Sequence, residues 1–366
     1  MTLKALVVTV VHHPEDARIR HRQITALLDA GWQVTYAAPF SGYAVAQPAP
    51  GSVPGLTTVD LPRSWGRHRV RSLRAARALL AARGQGHDVV LLHDPELVLA
   101  AHRLDELPAV VWDVHEDTAA AVGLKPWLPS SLSRAAAGSV RRLERLAERH
   151  HHLLLAEDAY ADRFQGAHPV VPNTTVVPAT VPPPDDPRVV YVGHLTAARG
   201  VHELITLGRL LAGHLTVELI GAADAASRAA LEAATDVVDW RGFLPYDAAM
   251  ARVSGAWAGL SLLHDEPNYR HSRPTKVIEY LAHGVPVITT PLPLAARLVT
   301  EVGAGVVVPF NAPGASTAQA AADAILALDP TQRLKMGWLG HQHALEHFDW
   351  SVQSKNFVAH LTRLVE

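Results

Sequence analysis

The stretch Arg273-Pro274-Thr275-Lys276-Val277-Ile278-Glu279-Tyr280-Leu281-Ala282-His283-Gly284-Val285-Pro286-Val287-Ile288-Thr289-Thr290 reads as a helix, a tight stop and a buried strand. Pro274 suits the first helical position, where a missing N–H costs nothing. Gly284 suits the left-handed residue that closes a helix. Val285 to Thr290 is a short apolar, β-branched run, the mark of a buried strand. Upstream lies another such run, Ala258-Gly259-Leu260-Ser261-Leu262-Leu263, followed by a polar loop. A helix that begins after a buried strand points its free N–H groups into a crevice, and α/β proteins bind phosphates there. Lys276, Glu279 and His283 share one helical face by their spacing. One short element therefore offers backbone donors, a cation and a carboxylate.

Outward from this stretch the same alternation fills the chain. Strands are expected at Ala5–Val11, Gln33–Ala38, Leu56–Asp60, Asp88–Leu92, Ala109–Val114 and Leu153–Ala156, with helices such as Arg18–Ala30, Val70–Arg83 and Leu132–Arg149 between them. A second series follows at Arg188–Val192, Thr216–Ile220, Val237–Arg241, Ala258–Leu263, Val285–Thr290 and Gly305–Pro309. Between the two series, residues 173–187 hold repeated prolines, which forbid a helix and predict a stiff, extended connector. The expected division is 1–172, the connector 173–187, a second domain 188–349 and a final helix 350–366. Alternating β and α implies parallel sheets covered on both faces. The fold class is α/β, with two Rossmann-like doubly wound domains facing a central cleft. No internal sequence repeat is visible.

A chain of 366 residues suits two domains, and 48% hydrophobic residues supply two cores. The formal net charge of −2 gives no basic field for nucleic acid. With no cysteine there is no disulfide, thiolate metal site or cysteine nucleophile. The N-terminus reads as a first strand without a signal-peptide cleavage pattern, and no apolar run reaches a membrane span. A soluble, cytoplasmic protein is the expectation.

The order of these pieces resembles the retaining glycosyltransferases of the GT-B fold, specifically glycosyltransferase family 4. The resemblance runs over nearly the whole chain and rests on Asp16-Ala17-Arg18-Ile19-Arg20, Ala30-Gly31-Trp32-Gln33-Val34-Thr35, the run from His87 to Glu96, Val111-Trp112-Asp113-Val114-His115-Glu116-Asp117, Tyr191-Val192-Gly193-His194-Leu195 with Arg199-Gly200, and the Pro274 to Pro286 segment. It implies transfer of a sugar from a nucleotide diphosphate, UDP- or GDP-linked, to a hydroxyl with the anomeric configuration kept. It implies no other cofactor. In this family the final helix usually crosses back onto the first domain.

The donor diphosphate needs fixed positive potential that strengthens as the leaving oxygen gains charge. The resemblance assigns this to Arg199, in the loop from Gly193 to Gly200, and to Lys276. His194 stands where the family commonly has arginine. Glu279 matches a carboxylate that holds the ribose hydroxyls, but the family's partner glutamate falls at His271, so that pair is broken. Arg270 and Arg273 are alternative phosphate contacts, Thr275 opens the helix, and Gly242 and Phe243 match the strand end that packs the base. On the acceptor side His115 matches a histidine near the donor sugar's outer hydroxyls. His93, Glu116, His13, Asp16 and Arg18 share its rim, the last two alternatively forming a structural pair. No metal is expected, because arginine, lysine and helix start can neutralise the diphosphate. The runs His150-His151-His152 and His341/His343 have poor ligand geometry.

The acceptor reads as a glycan, a lipid-linked glycan or a secondary metabolite. The basic, apolar-spaced run Arg63–Arg77 is either a solvated helix face or a contact with an anionic membrane. Two competing functions are a nucleotide-sugar epimerase, which needs carboxylates such as Glu116 and Asp117, and a non-catalytic nucleotide-sugar binder. A dehydrogenase is disfavoured, because the first loop lacks the glycine fingerprint.

Overall fold

The computed structural model describes every residue except 1, 116–129, 271–272 and 315, with the backbone alone at 130–137, 159 and 268. Residues 1–173 with 351–366 form one compact unit, and 174–350 form the other.

The first unit holds a six-stranded parallel sheet of β1 (Lys4–Val8), β2 (Gln33–Ala38), β3 (Leu56–Asp60), β4 (Val89–Leu92), β5 (Ala109–Val114) and β6 (His152–Leu155). Its spatial order is β3-β2-β1-β4-β5-β6. The second holds β7 (Asp186–Val192), β8 (Thr216–Ile220), β9 (Asp239–Trp240), β10 (Ala256–Ser261), β11 (Val287–Thr289) and β12 (Gly305–Val307), ordered β12-β11-β10-β7-β8-β9. Counted from its own first strand, the second sheet repeats the order of the first. Sequence shows no repeat, yet topology does, because crossovers of one hand leave few ways to wind six parallel strands. In each sheet the winding reverses beside the first strand, between β1 and β4 and between β7 and β10. Doubly wound sheets bind ligands outside that point, at the carboxyl ends of the strands.

Central strands are apolar on both faces, as helices on both sides demand. Leu6, Val8, Val90 and Leu92 in the first unit, and Val189, Val190, Tyr191, Ala258 and Leu260 in the second, are almost wholly buried. Gly259 in β10 is forced by packing, since a Cβ there would overlap the ring of Tyr280.

Several elements differ from expectation. The connector's last two residues, Asp186 and Pro187, already belong to β7. Pro187 is tolerated because the β7–β10 pairing is irregular there, and a bulge needs no ladder donor. Thr175 pairs with Asp349, and Arg333 donates to the Pro184 carbonyl, so the proline-rich run packs onto the second unit. Pro274 caps the helix Thr275–Ala282 from outside, with Gly284 left-handed just beyond its end. The expected first helix opens as a π-helix over Ala17–Ile24 before Thr25–Asp29. The strand expected at Val237–Arg241 shortens to two residues. No helix among the described residues is long and apolar enough to cross a membrane.

Candidate functional site

In the second unit the site is built around Tyr191, near the end of β7. Its hydroxyl donates to the His194 carbonyl at 2.9 Å and so pins the loop that follows the strand. Lys276 Nζ lies over the Tyr191 ring, 3.6 Å from its centroid. Gly193 has φ +130°, and a Cβ there would meet Lys276 Nζ at 3.3 Å. A Cβ on Gly221 would overlap the Gly193 carbonyl, so two glycines let backbone close around the lysine head. Tyr280 fixes the helix from beneath: its hydroxyl accepts from Val192 N–H at 3.0 Å and donates to the Leu260 carbonyl at 3.1 Å. The last turn of Thr275–Ala282 is thereby tied to both strands at the winding reversal.

Lys276 is only 6% exposed, and Nζ has no hydrogen-bond partner among the described residues. Burial pushes its pKa well below the ordinary 10.5, the Arg199 charge adds to that shift, and Glu279 opposes it. Arg199 also hydrogen-bonds Tyr191. Glu279 is buried on the same helix, at 7% exposure. Arg199, Lys276 and Glu279 thus gather at one crevice. Burial, helped by Arg199, lowers the His194 pKa, so its imidazole is neutral at pH 7. Between Arg270 and Arg273 the structure distinguishes: Arg270 is exposed and bidentate to Asp265, whereas Arg273 Nε is buried without a hydrogen-bond partner among the described residues and its guanidinium lies 5.2 Å from the Phe348 ring centroid. Thr275 is exposed at the helix start. Gly242 turns the chain at φ +67° and accepts from Gly221 N–H, leaving Phe243 half exposed. His283 sits away from this crevice, bonded to the Glu279 carbonyl and near His341. His271 lies outside the described residues.

In the first unit the carboxyl ends of β1, β4 and β5 carry a dense polar cluster. Arg18 donates to both Asp113 oxygens, Nε to Oδ2 at 2.8 Å and Nη2 to Oδ1 at 2.7 Å, and further to Asn173 and the Val171 carbonyl. Gln23 adds a third bond to Asp113 at 2.8 Å. Burial works to raise the Asp113 pKa, but Arg18 overcomes it and holds the carboxyl well below its usual range. Asp16 accepts from the N–H groups of Arg18 and Ile19 and caps the helix. Asp16 thus meets Arg18 at its backbone N–H, while the Arg18 guanidinium is bound to Asp113.

His93 is buried, with Nδ1 3.3 Å from Asp113 Oδ2. His115 Nδ1 bonds the Asp113 carbonyl at 3.0 Å, and its Nε2 lies 3.0 Å from His12 Nε2. Burial, then the His12 charge, lower the His115 pKa to about 3. His13 does not join: its Nδ1 accepts from Glu15 N–H, and its ring packs edge-on against Tyr43. The loop histidine of the cluster is His12, one residue earlier. Glu116 and Asp117 lie outside the described residues.

His93, Asp113 and His115 bring three ligand atoms within 4.8 Å of one another. They do not suit a divalent cation, because Asp113 already serves Arg18 twice and a guanidinium would sit beside the ion. The set is a hydrogen-bond network. Sequence reasoning missed His12 and the role of Asp113, although a single charge inside the apolar strand Ala109–Val114 was a signal.

Two doubly wound units, each with its polar cluster beside the first strand, define the GT-B fold of glycosyltransferases. Residues 186–328, most of the second unit, match the family model described as Glycosyl transferases group 1. The chain is structurally similar to sucrose-phosphate synthase from Thermosynechococcus elongatus, with a TM-score of 0.75 and 18% identity over 100% of this chain and 99% of that one. It is similar to HepE from Anabaena, solved in complex with UDP-glucose, with a TM-score of 0.70 and 14% identity over 99% and 100%. It is also similar to α,α-trehalose 6-phosphate synthase from Burkholderia multivorans, with a TM-score of 0.66 and 14% identity over 99% and 98%. No curated protein matches the sequence.

Proposed function

We propose that the protein is a retaining glycosyltransferase that moves a sugar from a nucleotide-diphosphate sugar to an acceptor hydroxyl. The observation that carries this reading is the buried Lys276 amine, which has no hydrogen-bond partner among the described residues and sits beside Arg199 at a helix start. Leaving a buried charge unpaired is costly, and an anionic ligand removes that cost. A pyrophosphate supplies the missing acceptors. Lys276 and Arg199 then meet charge that grows as the sugar–phosphate bond breaks, which is where electrostatic catalysis acts. Glu279, an acceptor-only group, takes the ribose hydroxyls. The Gly242–Phe243 turn lies against the base, and the structural relative bound to UDP-glucose supports a UDP-linked donor. The departing phosphate oxygen takes the acceptor proton, so the protein needs no separate base, and the protein's own cations serve in place of a metal.

The first unit's rim recognises the hydroxyl acceptor through His115, His93 and their neighbours, on the cytoplasmic side. An outward face near this unit's surface carries Trp65 at 60% and Val70 at 57% exposure among exposed Arg67, Arg69, Arg71 and Arg74. It supports peripheral contact with an anionic membrane and a lipid-linked acceptor.

The test is turnover of UDP- and GDP-sugars with candidate acceptors, followed by NMR of the product anomer. The expected result is a product with the donor's anomeric configuration, activity that survives EDTA, and loss of donor binding in Lys276→Ala. Conversion of the donor into an isomer without an acceptor would instead mark an epimerase. Donor binding without any turnover would mark a binder.

A further inference from the structure

The His12–His115 contact fixes the protons on both rings. His115 Nδ1 lies 3.0 Å from the backbone carbonyl of Asp113. A carbonyl only accepts, so Nδ1 carries the proton. His115 is neutral, with its pKa at about 3. Its Nε2 is therefore a bare lone pair. That lone pair faces His12 Nε2 at 3.0 Å. Two lone pairs cannot face each other at hydrogen-bond distance, so His12 Nε2 carries a proton. The same nitrogen lies 3.2 Å from Asp94 Oδ1. Asp94 is held rigidly: its other oxygen accepts from Thr9 Oγ1 at 3.0 Å, Val10 N–H at 2.5 Å and Val11 N–H at 3.2 Å. Oδ1 has no hydrogen-bond partner among the described residues, so its tie to His12 is a charge contact and leaves the Nε2 proton for His115. Donor and acceptor roles are thus fixed from Asp113 through His115 to His12, and the negative charge of Asp94 beside His12 Nε2 favours the proton there.

We propose that His12, oriented by Asp94, is a second substrate-reading residue that acts with His115 on one neutral hydroxyl; this rests on the glycosyltransferase reading above. The two side chains keep 15% and 10% exposure. A hydroxyl oxygen both accepts and donates. It can take the proton of His12 Nε2 and give its own to His115 Nε2, replacing the contact that the two rings make with each other. A carboxylate or phosphate has no proton for His115 and meets the charges of Asp94, Asp113 and Asp16. An ammonium cannot accept from His12. Arg18, the nearest cation, has its guanidinium bound to Asp113, Asn173 and the Val171 carbonyl. The pair therefore selects an uncharged hydroxyl group. Asp94 and Asp113 are positioning residues, and each sets which nitrogen of its histidine carries the proton.

Two measurements test this. The first is ¹⁵N NMR of the histidine rings in the ligand-free protein, with His12→Gln and His115→Gln as difference controls. His115 is expected as the neutral Nδ1–H tautomer throughout the pH range in which an ordinary histidine titrates. An Nε2–H tautomer, or titration of His115 in that range, overturns the proposal whether or not the protein transfers sugar. The second is kinetics with deoxy analogues of donor and acceptor. His12→Ala is expected to lower kcat/KM roughly 3- to 10-fold, one hydrogen bond's worth, on hydroxylated substrates and to cost nothing further on the one analogue that lacks the hydroxyl read by the pair. His12→Gln, whose amide N–H still donates, should recover most of the loss, and donor-nucleotide binding in the second unit should not change. An equal loss on every analogue, or no recovery with glutamine, makes His12 merely structural. A wild-type protein that turns over no substrate refutes the function, and the NMR result still decides the tautomer chain.

Discussion

The two units wind their sheets identically but fill the equivalent place in opposite ways. Beside β1, the N–H groups of Val10 and Val11 are closed by the protein's own Asp94, and Arg18 is answered by Asp113. Beside β7, Lys276 Nζ has no hydrogen-bond partner among the described residues, and neither has Arg273 Nε just before the same helix. Buried groups are normally paired, and a chain that gives Arg18 a bidentate carboxylate but leaves Lys276 Nζ without an acceptor among the described residues treats its two buried cations differently. The paired crevice presents imidazole edges and suits hydroxyls. The unpaired one suits a polyanion.

The sharpest way to break this contrast is to unpair the first crevice. Asp113→Ala leaves Arg18 buried without its carboxylate and should cost about 3–5 kcal/mol of stability, read from the denaturant midpoint of the first unit. A loss below ~1 kcal/mol would show that the pair does not hold that unit together. Lys276→Ala makes the opposite prediction. Removing a cation that burial already disfavours should leave the second unit as stable or more so. Donor turnover should still fall ~10²–10³-fold, because its charge acts only when the diphosphate is present. A variant that loses stability and activity in proportion would make Lys276 a packing residue.

Titration sharpens the same comparison with smaller effects. The folded-state pKa of His115 is about 3, below its ordinary 6.5, so the unfolded chain takes up a proton first on acidification. Its contribution is complete above pH 6.5 and is lost as pH falls toward 3, at up to ~1.4 kcal/mol per pH unit. Asp113, His12, His93, Arg18 and Asp16 all face it, and His115→Gln should flatten that acid limb. Lys276 is also depressed, from 10.5, so the unfolded chain holds the extra proton between the lowered value and 10.5. Stability should rise with pH through that window. Binding of UDP there should take up about one proton, measured by calorimetry in buffers of different ionisation enthalpy, and Lys276→Met should abolish the uptake.

Much of this was open to reading from local patterns. Alternating β-branched and helical runs identified all twelve strands to within a few residues, and Pro274, Gly284, Lys276 and Glu279 marked the helix of the second crevice because strand, turn and cap signals are short-range. The first crevice was harder. Asp113 and Arg18 are 95 positions apart, and nothing local says that they meet. Choosing His13 over His12 was a one-residue error in a loop, where no periodicity fixes which side chain turns inward. Tyr191 and Tyr280 looked like ordinary core aromatics, and only tertiary contacts show their hydroxyls holding the loop and helix in place. Pro187 argued against a strand start that the bulge in β7 permits.

The weakest expected effect concerns two arginines that sequence could not rank. Arg270 lies open to solvent and is bound through two hydrogen bonds of 2.7 Å to Asp265. To reach a phosphate it must give up a geometry that already satisfies its fork, and its charge is screened by water. Arg273 holds its guanidinium beside Phe348 with Nε buried and without an acceptor. A phosphate oxygen would gain a charge-assisted bond there without displacing any acceptor from Nε. Arg273→Ala should therefore weaken UDP binding about tenfold, and Arg270→Ala less than threefold, by titration calorimetry at fixed salt. Since surface contributions fade with ionic strength and buried ones persist, the gap between the two variants should widen as salt is raised. Equal losses, or a gap that closes in salt, would mean that the crevice beside β7 attracts its ligand by general positive potential rather than through cations held ready for it.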